Sequence, residues 1–311
     1  MPESIGIDVA KREVVVHAYP SADRAVFAND GAGQRALVIW AQARQPERIV
    51  LESTSTYHVA AALALAEADL PVVVVNPAQI RAFSRGLGRL AKTDRLDAEL
   101  IARFAALATP PVRAPLSPLA RRLKALFTRR AQLQATATAH GNQRESAPPE
   151  MWPFIDPLIA EARRLLAQVE QELTAWLESD PAWAANARLL RTIPGVGPKT
   201  AAALLAGVPE LGAIGHAQLA ALVGVAPQTR QSGPGRPAAA IAGGRTEVRA
   251  ALYMPTLAAI RCNPALRTLY QRLLANHKPP LVAIVACMRK LLTLANAMLR
   301  DQTPWSPAML P

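Results

Sequence analysis

The feature that most constrains the fold lies in the first 76 residues. Residues 4–9, 12–19 and 22–28 are three short runs rich in Val and Ile, separated only by "AK" and "PSAD". Connections that short admit only an antiparallel meander. The pattern then changes. "GAGQRALVIWAQARQ" carries apolar residues at helical spacing, "RIVLE" is a buried-type strand, "YHVAAALALAEADL" is a helix and "PVVVVN" is a further strand. Strand, helix, strand, helix, strand requires parallel pairing by crossover. A sheet that opens antiparallel and continues parallel around its first strand satisfies both halves of the pattern.

Three meandering strands followed by alternating helices and strands is the α/β ribonuclease H-like layout, and "TDRLDAELIARFAALA" adds a helix starting at the capping residue Thr93 or Asp94. This reading places one domain at 1–112. After "TPPVRAPLSP" the composition shifts to two long arginine-rich helical stretches, 116–146 and 156–179, broken by "APPEMWPFIDP". They are expected as an antiparallel helical hairpin within 113–184. A mainly α domain is expected over 185–300, followed by a loose tail at 301–311.

The chain has 311 residues, enough for a sizeable core, and its 35 Lys plus Arg against 23 Asp plus Glu leave a formal net charge of +12. That excess favours a polyanionic partner. No uninterrupted apolar run approaches the roughly 18–20 residues that cross a bilayer, so no membrane partner is expected. The opening "MPESIGID" lacks the basic and apolar regions of a secretory signal. The expected location is the cytoplasm, on the nucleoid when DNA is bound. Cys262 and Cys287 have no histidine partners at metal-ligand spacing and are assigned no chemistry.

Asp8 interrupts the apolar first strand, and Glu52 closes "RIVLE", the strand expected beside it. Asp94 and Asp97 lie three apart on one helix and share a face. Four carboxylates from three remote segments are thus expected at one sheet edge. Hard oxygen ligands of this kind suit Mg²⁺ or Mn²⁺. Two such ions roughly 3.5–4 Å apart activate a nucleophile and stabilise the leaving oxygen of a phosphodiester. Taken singly, each acid also has an ordinary reading as a helix-start or strand-end residue.

Further along, "PGVG" between two apolar helices has the form of a helix-hairpin-helix. Gly195 and Gly197 would let backbone approach a phosphate, the next helix would offer its free N–H groups, and Lys199 would add a charge. A packed turn without ligand is the alternative. "TRQSGPGRPAAAIAGGR", with four glycines, two prolines and three arginines around one serine, is expected to lack regular structure. Arg230, Arg236 and Arg245 are candidate phosphate clamps there, or solvated loop charges.

"GIDVAK", "LESTSTYH" and "KTDRLDAELIARF" resemble the three blocks of the DEDD transposases, insertion-sequence recombinases with a RuvC-like domain that are related to pilin-gene inverting recombinases. The similarity resumes in "IPGVGPKTAAALLA", "LVGVAPQTRQSG" and "GGRTEVRAALY". One departure is Ser55, where the family often has glycine. The resemblance implies Asp8, Glu52, Asp94 and Asp97 as a metal-binding tetrad. It also implies Ser232 as the nucleophile that forms a phosphoserine link to DNA, with Thr229 as its near competitor. A covalent link conserves the phosphodiester energy for rejoining.

The same resemblance implies donor and target DNA as partners, a non-coding bridge RNA as guide, and a homo-oligomer, dimer or tetramer, with a site completed between protomers. The leading expectation is therefore a transposase cutting and rejoining DNA through a serine. A Holliday-junction resolvase using metal-activated water, and a non-catalytic DNA-binding protein, are the alternatives.

Overall fold

The computed structural model describes residues 2–53, 56–88, 94–112, 116–230 and 238–307, with the side chains of 94–96, 229, 230, 238 and 239 outside that description. The chain divides into two compact units, Met1–Pro115 and Leu116–Pro311.

In the first unit, strands β1 (Ser4–Val9), β2 (Glu13–Tyr19), β3 (Arg24–Ala28), β4 (Arg48–Glu52) and β5 (Val72–Val75) form one sheet in the order β3-β2-β1-β4-β5. β1 pairs antiparallel with β2 and parallel with β4, and β4 pairs parallel with β5. This is the ribonuclease H-like arrangement that the strand pattern implies. Helices α1 (Gly31–Gln42) and α2 (His58–Glu67) cover one face, where Leu37, Ala41, Ala61 and Leu65 bury Ile5, Ile7, Val14, Val16, Ile49 and Leu51. On the other face lie α3 (Pro77–Gly86) and α4 (Asp94–Ala108), packing Ile80, Ile101 and Phe104 on Val50, Val73 and Val75. The apolar periodicity assigned nothing to 77–86. The start signal is nonetheless present, since Asn76 caps α3 by accepting from Ala78 N at 2.8 Å, and Pro77 occupies its first turn.

In the second unit, α5 (Pro118–Ser146) and α6 (Trp152–Glu178) form the expected helical hairpin. α6 begins at Trp152, ahead of the start expected at 156, and runs through Pro157. The side chain of Trp152 secures that start. Its Nε1 donates to Ala147 O at 3.2 Å, and the Arg144 guanidinium lies 4.2 Å from its ring while also pairing with Asp156. Leu123, Phe127, Leu173 and Leu177 at the base of the hairpin share one core with the helices that follow, so packing is continuous across the boundary expected near 184.

Those helices are α7 (Pro181–Arg191), α8 (Pro198–Gly207), α9 (His216–Val223), α10 (Thr246–Cys262), α11 (Pro264–Ala275) and α12 (Pro280–Asp301). α12 is long and apolar enough to cross a membrane by composition, yet over half of that window is buried in the core, Cys287, Leu291, Leu292 and Met298 included. Burial pushes the Cys287 thiol up to about 11, which keeps it protonated and unreactive.

One expectation fails here. "TRQSGPGRPAAAIAGGR" does hold regular structure, because β6 (Pro227–Arg230) and β7 (Ala238–Ile241) pair antiparallel. Four residues a side suffice for a ladder when the Gly and Pro residues are concentrated in the connection, residues 231–237.

Candidate active site

The β1–β4 register pairs Ser4 with Arg48, Gly6 with Val50 and Ile7 with Leu51. One step further sets Asp8 beside Glu52. Adjacent strands lie about 4.8 Å apart and side chains in one row share a face. Both carboxylates therefore leave the carboxyl ends of neighbouring parallel strands on the same side of the sheet. Gly6 and Val50 identify that side as the one covered by α4.

The direction of α4 follows from three contacts. A Cβ on Gly6 would stand 2.1 Å from Ala102 N and 2.3 Å from Ala98 O, so residues 98–102 rest directly on β1. Glu99 pairs with Arg24 at 3.3 Å, and Arg24 lies in the row of His17 and Gly6. Arg103 lies 5.8 Å from the ring of Tyr19, the partner of Ser4 at the start of β1. α4 thus runs against β1, and its amino-terminal turn points to the end that holds Asp8 and Glu52. Asp97 is one turn before Ile101, which packs on Val50 in β4. Asp94 begins the helix one turn further out.

Asp8 and Glu52 therefore share one sheet end and one face, and the helix that carries Asp97 starts toward the same end. Among the described residues no group of three or more His, Cys, Asp or Glu side chains could hold a metal ion. The side chain of Asp94, the fourth member of the expected tetrad, lies outside the described residues. In donor chemistry the set fits a hard divalent ion, being all carboxylate oxygen.

Two features of this end escaped the sequence reading. Asn29, just after β3, donates from Nδ2 to Ala10 O at 2.9 Å and to Tyr57 O at 3.3 Å, tying the segment after β1 to the segment after β4. His17 is buried opposite Gly6, and its Nδ1 accepts from Arg24 Nε at 3.1 Å. Burial, then the Arg24 charge, holds its pKa below the usual histidine value. The neutral ring therefore carries its proton on Nε2. An asparagine before a capping aspartate and a histidine inside a strand carry no local signal of such partners.

In the second unit, Gly195 has φ +96°, and a Cβ there would lie 2.6 Å from the backbone of Ala259. That glycine is accounted for by its packing on α10. Gly197 precedes α8 with open space where a Cβ would lie. Lys199 is exposed but pairs with Glu170 at 2.6 Å, and Glu170 also accepts from Arg130 at 2.9 Å.

Arg245 departs from the clamp expectation. It grips Glu210 with two bonds of 2.7 Å and donates to Gly207 O at 3.0 Å, so its guanidinium is committed within the unit. Desolvation and the neighbouring Arg245 charge lower the pKa of Lys124 beside this pair. Arg249, which the sequence reading did not single out, donates to Val223 O at 3.4 Å, Gly224 O at 3.3 Å and Gly243 O at 2.7 Å, securing the base of the β6–β7 hairpin. Ser232 and Arg236 lie outside the described residues, as do the side chains of Thr229 and Arg230.

Residues 5–153 match the transposase family of DEDD, IS110 type, and residues 187–271 match the transposase family IS116/IS110/IS902. The pilin gene-inverting proteins of Moraxella bovis and Moraxella lacunata are 30% and 29% identical, each alignment covering 97% of both chains. A 43.6 kDa protein of insertion element IS110 from Streptomyces coelicolor is 33% identical over 153 residues, 49% of this chain and 36% of that protein. Among solved structures, T. thermophilus RuvC in complex with a Holliday junction substrate matches 34% of this chain and 95% of its own, with 17% identity and a TM-score of 0.28. Matched in both of its units and along almost its whole length, the chain belongs to the IS110-type transposases, enzymes of DNA recombination.

Proposed function

We propose that the protein cuts and rejoins DNA strands at the end of the sheet that carries Asp8 and Glu52, with Ser232 as nucleophile. The observation that carries this reading is the shared row and face of Asp8 and Glu52, with the amino-terminal turn of α4 directed to the same end. Asp8, Glu52, Asp94 and Asp97 are the residues that would hold Mg²⁺ or Mn²⁺. Such an ion, when bound, supplies Lewis-acid stabilisation of phosphodiester oxygens and lowers the pKa of an attacking hydroxyl. The chain's own part is to hold the carboxylates on rigid strand ends and to keep the serine on a hairpin fixed at its base by Arg249. The phosphoserine link formed by Ser232 would conserve the bond energy for rejoining.

The reading extends to partners. The relatives' name, pilin gene-inverting protein, describes a rearrangement of DNA and supports donor and target DNA as substrates. The net charge of +12 supports nucleic-acid binding by backbone contacts, with Gly197 and Lys199 at the start of α8 as one phosphate contact. A guide RNA and a site completed between protomers belong to the same proposal.

The test is Asp8→Asn beside Ser232→Ala. Asp8→Asn should abolish Mg²⁺-dependent strand cleavage and leave DNA binding intact, and Ser232→Ala should abolish covalent protein–DNA product. Cleavage by the first variant would refute the carboxylate site. Cleavage with free ends by the second would favour water as nucleophile.

A further inference from the structure

We infer that Lys11 and Arg12 form a phosphate grip for the DNA strand that enters the carboxylate end of the sheet; this rests on the proposal that cleavage occurs there. The pair makes up the whole connection between β1 and β2 apart from Ala10, so the turn stands three and four residues past Asp8, at the same sheet end. Both residues are exposed. Four other arginines of this unit are matched with carboxylates: Arg24 and Arg103 with Glu99, Arg44 with Asp23, and Arg48 with Glu47. Among the described residues Lys11 and Arg12 make no such pair.

The turn is also held in place. Ala10 N donates to Glu13 O, and Asn29 N donates to Arg12 O, each at 2.9 Å. The Asn29 side chain closes the bracket by donating to Ala10 O and Tyr57 O. Three backbone carbonyls on two acid-bearing segments thus meet one asparagine. The cations are presented from a lip rigidly joined to the strand ends of Asp8 and Glu52, and are not carried on a mobile loop.

Charge explains why such a grip is needed. A phosphodiester approaching several carboxylates is repelled, the more so where protein shields the charges from water. Cations beside the acids offset that repulsion without occupying the reacting position. At no more than about 3.3 Å per residue the two cations stand within roughly 10–13 Å of Asp8, and their long side chains suit a phosphate near the one being cut. Lysine supplies a point charge and arginine a two-pronged fork for phosphate oxygens.

The test uses the full chain with donor duplex in Ca²⁺, with affinity read by fluorescence anisotropy across a salt series. The double variant Lys11→Gln, Arg12→Gln should weaken binding about 10- to 100-fold and lower the salt slope by about 1.8, two contacts at about 0.9 each. Lys11→Arg should retain the slope, and thermal unfolding should be unchanged in both. Asn29→Ala should give an intermediate loss. A slope in the double variant equal to the parent's would overturn the grip, as would a loss confined to an RNA probe. Because binding is read without cleavage, failure of the carboxylate reading would show separately, as cleavage by Asp8→Asn in Mg²⁺.

Discussion

Gly6→Ala tests the placement of α4 with one methyl group. The new Cβ would lie 2.1 Å from Ala102 N, 2.3 Å from Ala98 O and 2.7 Å from Ile101 C, all backbone atoms of one helix. No rotamer relieves such a contact. Opening 2.1 Å to an ordinary contact of about 3.4 Å lifts α4 from β1 by about 1.3 Å at this point. Overpacking of this kind costs about 1–3 kcal/mol, and the upper part of that range is expected because backbone must move. For a unit of about 100 residues, about 2 kcal/mol lowers its melting transition by roughly 8–16 °C. The same shift carries Asp97 away from the end that holds Asp8 and Glu52, and a displacement of about 1 Å in a reacting geometry costs on the order of 100-fold in rate. Calorimetry of the full chain and Mg²⁺-dependent cleavage below the new transition read the two effects separately. A melting temperature within about 1 °C of the parent would refute the packing of α4 on β1. A destabilised variant with undiminished cleavage would refute the role of α4 in placing the acids.

Arg245→Gln leaves Glu210, with 20% of its side chain exposed, without its bidentate partner, and should cost about 2 kcal/mol in urea unfolding; a change below about 0.5 kcal/mol would return Arg245 to the phosphate-clamp candidates. Asn296→Ala strands Gly212 N–H and Ile214 C=O, which the buried amide now satisfies at 2.8 and 2.9 Å, and a loss of about 2 kcal/mol is expected by the same assay. The depressed pKa of His17 means the unfolded chain binds its proton first as pH falls. Its contribution to stability is complete above the ordinary value of 6.5 and declines as pH drops through the folded pKa. His17→Gln, which cannot titrate, should flatten melting temperature against pH below the ordinary histidine value of about 6.5, and an unaltered profile would show that another group is responsible.

The strand order was legible because burial and connection length act locally: turns of a few residues force antiparallel neighbours, and apolar strands separated by helices force parallel ones. Asp8 and Glu52 were legible as candidates for the same reason, since an acid within or at the end of an apolar strand costs free energy unless something receives it. The α3 helix was missed because Asn76–Pro77 is a start signal with weak apolar periodicity behind it, and helix formation there depends on one buried anchor, Ile80.

The partners of Arg245, Lys199 and Asn29 could not be read from sequence. A cation in a glycine-rich segment has the same local pattern whether it meets phosphate or Glu210, 35 residues away. Asn29 bridges backbone atoms 19 and 28 residues distant. The sequence by itself determined which residues could enter a sheet end as acids, which segments must be strand or helix, and that the chain carries excess positive charge. Tertiary structure decided the direction of α4, the commitment of Arg245 to Glu210, and the rigid bracket that leaves Lys11 and Arg12 exposed beside the acids. Periodicity reports burial along one segment, whereas the partner of a polar side chain depends on where remote segments pack.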